Sequence, residues 1–160
     1  MSPIPLHLIR DDAVTELYSR YPWLKTTQFG GKPGALALLP AAYGALERVF
    51  VGVGTAPLDT WTLAGLPGKL PPLTYALMEA PENSDLATNL ALGWRLGGYS
   101  FSRKGAHSPK PLPTLVAPIG ADTAWVETMS SAIFMGRDLI NQPANELTPQ
   151  TLAKAATDVA

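Results

Sequence analysis

Few side chains in this 160-residue chain could hold a metal, move a proton or attack a carbonyl, and those few are scattered. The two histidines, His7 and His107, lie far apart, one in a predicted strand and one in a Pro-rich stretch. A metal centre needs several His, Cys, Asp or Glu side chains converging on one point, so both are read as structural. Cysteine is absent, which removes thiolate ligands, disulfides and a cysteine nucleophile together. The carboxylate pairs Asp11-Asp12 and Glu79 with Glu82 are of the type that serves a Mg²⁺ or acid–base site. Both fall at predicted helix starts or strand ends, where capping and solvated charge account for them. Gly52-Val53-Gly54-Thr55 follows an apolar strand, the position of phosphate-cradling loops in α/β folds. Position 57 is Pro57, however, so no third glycine completes G-x-G-x-x-G, and no Lys-Ser/Thr pair makes a P-loop. No G-x-S-x-G nucleophile turn occurs. Trp61, Trp94 and Trp125 could stack a flat ligand, but helical spacing sets Trp94 and Trp125 on apolar faces, so core packing is expected. The residues alone nominate no catalytic, no cofactor-binding and no metal-binding side chain.

The elements that would position any site can be read from apolar spacing. Leu6, Leu8 and Ile9 predict a strand, with Asp11 or Asp12 capping a helix that carries Val14, Leu17, Tyr18 and Tyr21 on one face until Pro22. Ala35 to Leu39 and Val49 to Val53 are apolar on both faces, as in sheets covered by helices. The short link Pro40 to Glu47 makes that pair antiparallel. Asp59 to Leu70 accommodates at most a short helix, and Leu73 to Met78 a further strand. Asn83 or Ser84 caps a helix with Leu86, Ala87, Leu90, Ala91 and Trp94 in one stripe, stopped at Gly97-Gly98. Arg103 to Pro113 reads as an exposed extended loop, followed by a short strand from Thr114 to Ala117. Asp122 caps the longest helix, whose core stripe is Val126, Met129, Ile133, Gly136 and Ile140, and Pro143 closes it. Thr148-Pro149 opens a last helix with Leu152, Ala155, Ala156 and Val159 on one side. That helix reaches Ala160 without Gly, Pro or a basic last turn, so the sequence is expected to continue.

The predicted fold class is therefore α/β: a mixed β-sheet flanked by helices on both faces. Composition agrees, since charged residues at 16% fall below the ordinary level of about 25%. A formal charge of −1 supplies no field to gather nucleic acid or an anionic membrane surface. No apolar run is long enough to predict a membrane span, and the lack of cysteine suits a cytoplasmic protein.

Three segments resemble one family. Gly136-Arg137-Asp138-Leu139-Ile140-Asn141-Gln142-Pro143-Ala144-Asn145-Glu146-Leu147-Thr148-Pro149 closely resembles the stretch that joins the two domains of leucyl aminopeptidases (cytosol aminopeptidases). Ala91-Leu92-Gly93-Trp94-Arg95-Leu96-Gly97-Gly98-Tyr99-Ser100-Phe101 is similar to a helix of that family's N-terminal domain. Trp61, Gly65-Leu66-Pro67 and Leu70-Pro71 match the preceding segment more loosely, and the order along the chain is the family's order.

This resemblance implies a macro-domain-like fold, with 1–145 as the N-terminal α/β domain and 146–160 as the start of the helix linking to a catalytic domain. It implies a parent enzyme that removes N-terminal amino acids from peptides, leucine preferentially, with two divalent metals, zinc or manganese. Its partners would be its own C-terminal catalytic domain, the peptide substrate and, in the parent, a homo-hexamer. The family's metal ligands and catalytic residues lie in the C-terminal domain, around a motif N-T-D-A-E-G-R that this sequence lacks. Asn141, Pro143 and Asn145 are read as hinge and capping residues. A stand-alone binding module for an ADP-ribose-type ligand at Gly52 to Thr55, or for a protein partner, is the alternative.

Overall fold

A computed structural model describes residues 2–41, 44–101 and 111–159. Five strands form one mixed sheet in the order β2-β3-β1-β4-β5, comprising β1 (Ile4–Arg10), β2 (Leu36–Pro40), β3 (Leu46–Gly54), β4 (Thr74–Leu77) and β5 (Thr114–Leu115). Strands β3, β1, β4 and β5 run parallel, with Leu6 opposite Val49 and Ile4 opposite Tyr75, and only the edge strand β2 is antiparallel. The helices are α1 (Val14–Arg20), α2 (Trp23–Thr26), α3 (Ser84–Gly97), α4 (Thr123–Asn141) and α5 (Pro149–Val159).

Strand alternation divides the core. Val49, Val51 and Val53 point one way with Leu6 and Tyr75, against Leu63, Leu66, Leu70, Leu90 and Trp94. Phe50 and Ala37 point the other way, against Leu24 and Phe29, with Leu17, Tyr18 and Tyr21 of the α1 region closing over them. The doubly apolar run at β3 is thus explained by helices on both sides of the sheet. A further layer forms where Leu92 and Leu96 on the back of α3 meet Val126, Met129, Ile133 and Phe134 of α4.

Local signals are obeyed where they are strongest. Asn83 Oδ1 accepts from the Leu86 amide at 2.8 Å and Asp122 Oδ1 from the Trp125 amide at 2.9 Å, capping α3 and α4. Thr148 Oγ1 accepts from the Thr151 amide at 3.3 Å, and Thr151 Oγ1 accepts from the Thr148 amide at 2.8 Å, a reciprocal cap for α5.

Three expectations are corrected. Asp11 and Asp12 do not cap α1: they form a 3₁₀ turn with Ala13, and neither that turn nor α1 has a side-chain cap. Ile140 is 84% exposed, because α3 ends at Gly97 and α4 outruns the helix that covers its stripe. Trp125 is also exposed, on the first turn of α4, and Trp61 stands in solvent. Residues 59–70, expected to hold at most a short helix, form successive turns closed by bonds such as Thr62 N to Asp59 O and Leu66 N to Leu63 O. Most of the expected loop from Arg103 to Pro113, with His107, lies outside the described residues.

Candidate functional site

Parallel α/β sheets bind ligands beyond the carboxyl ends of their strands, and here those ends hold the glycine run 52–54. Its amides are already engaged. Gly52 N donates to Ala35 O at 2.8 Å and Gly54 N to Gly31 O at 2.6 Å, while Gly34 N donates back to Gly52 O at 3.1 Å. A Cβ on Gly52 would lie 2.3 Å from Lys32 O, and Gly54 takes φ +70 against the Pro33 ring. The glycines are there because the chain's own turn at 31–34 rests on them, which leaves no open cradle for a phosphate.

Beside it, a cleft of about 280 Å³ opens where β1 and β3 end and α3 begins. Arg10 reaches into it but spends Nη1 on Ala56 O at 2.5 Å. Glu82 and Asp85 line the same cleft, so its two carboxylates outnumber the one guanidinium and disfavour an anionic ligand.

Of the titratable residues weighed above, His7 and Glu79 meet, and the other described ones stand apart from them. His7 Nδ1 lies 3.0 Å from Glu79 Oε1, and Glu79 Oε2 accepts the Leu8 amide at 3.0 Å. This pins the segment after β4 to the middle of β1, and the His7 ring stacks on Phe50 at 5.4 Å. Burial works to raise the Glu79 carboxyl, but the bonds from His7 and Leu8 and the attraction of His7 outweigh it, so it titrates below its ordinary value. Glu82 belongs to the strand-end cleft instead, and Asp11 is packed beneath Gly31. Among the described residues no group of three or more His, Asp or Glu is placed to hold a metal ion. Trp94 is buried as expected, its Nε1 donating to Pro113 O at 3.3 Å and its ring 6.0 Å from that of Tyr75.

What the three sequence segments do is structural, and each explains the others. Gly93 and Gly97 lie one turn apart on α3, where a Cβ would meet Thr60 O at 1.6 Å and Ala64 O at 1.8 Å. Only glycines admit the 59–66 backbone to the helix surface. At the far end of α3, Tyr99 receives the joint stretch. Asn141 Nδ2 donates to its hydroxyl at 3.1 Å, the Arg137 guanidinium lies 5.2 Å above its ring, and Arg137 Nη1 donates to Leu96 O at 3.1 Å. These contacts span long sequence separations, and no single-segment pattern announces them.

The family model for the M17 aminopeptidase N-terminal domain matches residues 4–118. The chain belongs to that family. Leucine aminopeptidase 1 of Arabidopsis thaliana is 39% identical over 82% of this chain and 29% of its own length. A probable cytosol aminopeptidase of Gluconobacter oxydans is 31% identical over 79% of this chain and 29% of its own length. The crystal structure of cytosol aminopeptidase from Coxiella burnetii superposes with a TM-score of 0.86 at 29% identity, over 99% of this chain and 35% of that one. The chain thus spans about a third of the length of the M17 relatives it matches, and the matched part is their N-terminal domain fold.

Proposed function

We propose that this chain is the non-catalytic N-terminal domain of a leucyl aminopeptidase-like exopeptidase, with 1–145 as the folded domain and 146–160 as the start of the helix that leads into the catalytic domain. The observation that carries this reading is α5. It follows the joint stretch, is well capped, and buries none of its residues, leaving Leu152 and Val159 of its apolar side 48% and 62% exposed. An amphipathic helix draws its stability from packing that side, and the two-thirds of the M17 relatives that this chain does not span is the natural source of the missing surface.

In the parent, two divalent metals, zinc or manganese, would activate water and polarise the scissile carbonyl of a peptide's first residue. The described residues do not fit such a centre, since Glu79 is taken by His7 and the Leu8 amide and the remaining carboxylates are dispersed. No catalytic, metal or cofactor residue is therefore assigned to this segment. Its part is to support the fold of the parent and to hold the end of α4, where the joint stretch begins, against Tyr99. The parent is placed in the cytoplasm as a homo-hexamer assembled mainly through its catalytic domains. No described helix is long and apolar enough to cross a membrane.

Sedimentation and calorimetry test this together. The 160-residue chain is expected to sediment as a monomer or weak associate and to take up neither Mn²⁺ nor Zn²⁺ stoichiometrically. A stable hexamer, or two tightly bound metals per chain, overturns it.

A further inference from the structure

A cleft of about 420 Å³ opens where α3 and α4 meet the chain around β5, within the roughly 300–1,000 Å³ of small-molecule sites. Trp94, Leu112, Val126 and Phe134 give it apolar walls, and Arg95 and Glu127 also line it. Those two charges touch, Arg95 Nη2 lying 2.5 Å from Glu127 Oε2. The guanidinium is steadied from beneath as well: its Nε donates to Ser130 Oγ at 3.4 Å, and Ser130 donates to the Glu127 carbonyl at 3.1 Å. Ser130 is fully buried, the one such polar residue among those described. A positive and a negative group are thus held side by side at an apolar hollow.

That arrangement discriminates among ligands. A hydrocarbon makes no use of the charges, an anion meets Glu127 and a cation meets Arg95. A molecule with adjacent carboxylate and ammonium groups and an apolar tail satisfies walls and charges at once. The ion pair is exposed on both sides, and such pairs contribute little net stability. Opening it to admit a zwitterion is therefore cheap, and two charge-assisted contacts replace one. We propose that this cleft binds a free α-amino acid with an apolar side chain, its carboxylate on Arg95, its ammonium on Glu127 and its side chain against Trp94 and Phe134. The site stands apart from the aminopeptidase reading, because it uses only groups of this chain and breaks no bond.

The test is a titration of the 160-residue chain with L-leucine, following the Trp94 indole N–H by NMR. A saturable shift is expected, with N-acetyl-L-leucine and L-leucinamide, each lacking one charge, binding at least about tenfold more weakly. Arg95→Gln and Glu127→Gln should each weaken L-leucine to a similar degree while the rest of the spectrum is unchanged. Should a variant lose its fold, the blocked ligands on the unaltered chain decide alone. No saturable shift with L-leucine, or equal binding of the blocked compounds, overturns the proposal.

Discussion

The Tyr99 hydroxyl donates to Asp138 Oδ1 at 2.8 Å, tying the end of α3 to the last turns of α4. With Asn141 Nδ2 donating to the Tyr99 hydroxyl and Phe134 packed 5.3 Å from its ring, one side chain anchors the end of α4, from which the chain leaves the domain. Tyr99→Phe keeps the ring and removes both bonds. The expected result is a small fall in melting temperature, together with faster amide exchange in 142–148. Unchanged exchange there would show that helix packing alone holds the joint.

The glycines of α3 and α4 should respond to alanine with opposite signs. Alanine is the better helix former by about 1 kcal/mol, and at Gly136 a Cβ has nothing within 4 Å. Gly136→Ala is expected to stabilise by about 0.5–1 kcal/mol. Gly93→Ala and Gly97→Ala drive a methyl into the Thr60 and Ala64 carbonyls and should destabilise by about 3 kcal/mol or fail to fold. Urea denaturation of the three variants reads both signs.

Glu79 gives the domain a particular acid response. Its carboxyl is lowered in the folded chain relative to an ordinary value of 4.5, so its contribution is complete above that value and is lost as pH falls through the lowered one. Because the carboxyl is about half exposed, the gain is under about 1 kcal/mol. Thermal melts from pH 6 down to pH 3 should fall more steeply for the natural chain than for Glu79→Gln. Parallel curves would contradict the His7–Glu79 clamp.

Capping is equally open to measurement. Asn83→Ala and Asp122→Ala each remove an observed bond to a helix amide and should cost about 1 kcal/mol apiece. Asp11→Ala, which removes no side-chain cap, should stay within about 0.5 kcal/mol of the natural chain.

The contrast between those caps shows what sequence spacing carries. Asn83 and Asp122 were legible because a cap is decided within four residues. Val126, Met129 and Ile133 were legible because the stripe repeats at helical spacing. Ile140 and Trp125 share that helix, yet periodicity is silent on where the covering helix stops. The Gly52 to Thr55 run stands where phosphate loops stand but lacks their pattern, since glycine marks any close backbone approach, and only the fold shows that the approaching backbone is the chain's own turn at 31–34. The His7–Glu79 contact and the Tyr99 anchor join residues 72 and 39 positions apart, the Arg95–Glu127 pair at the cleft is likewise distant in sequence, and long-range pairs of this kind leave no local pattern.

Catalysis in the parent is proposed to reside outside these 160 residues. Hydrolysis of leucine p-nitroanilide with Mn²⁺ or Zn²⁺ should be measured for the 160-residue chain and for the complete product of its gene. Release of p-nitroaniline by the complete product alone is the predicted result. Turnover by the 160-residue chain would contradict it and require a catalytic site within these residues.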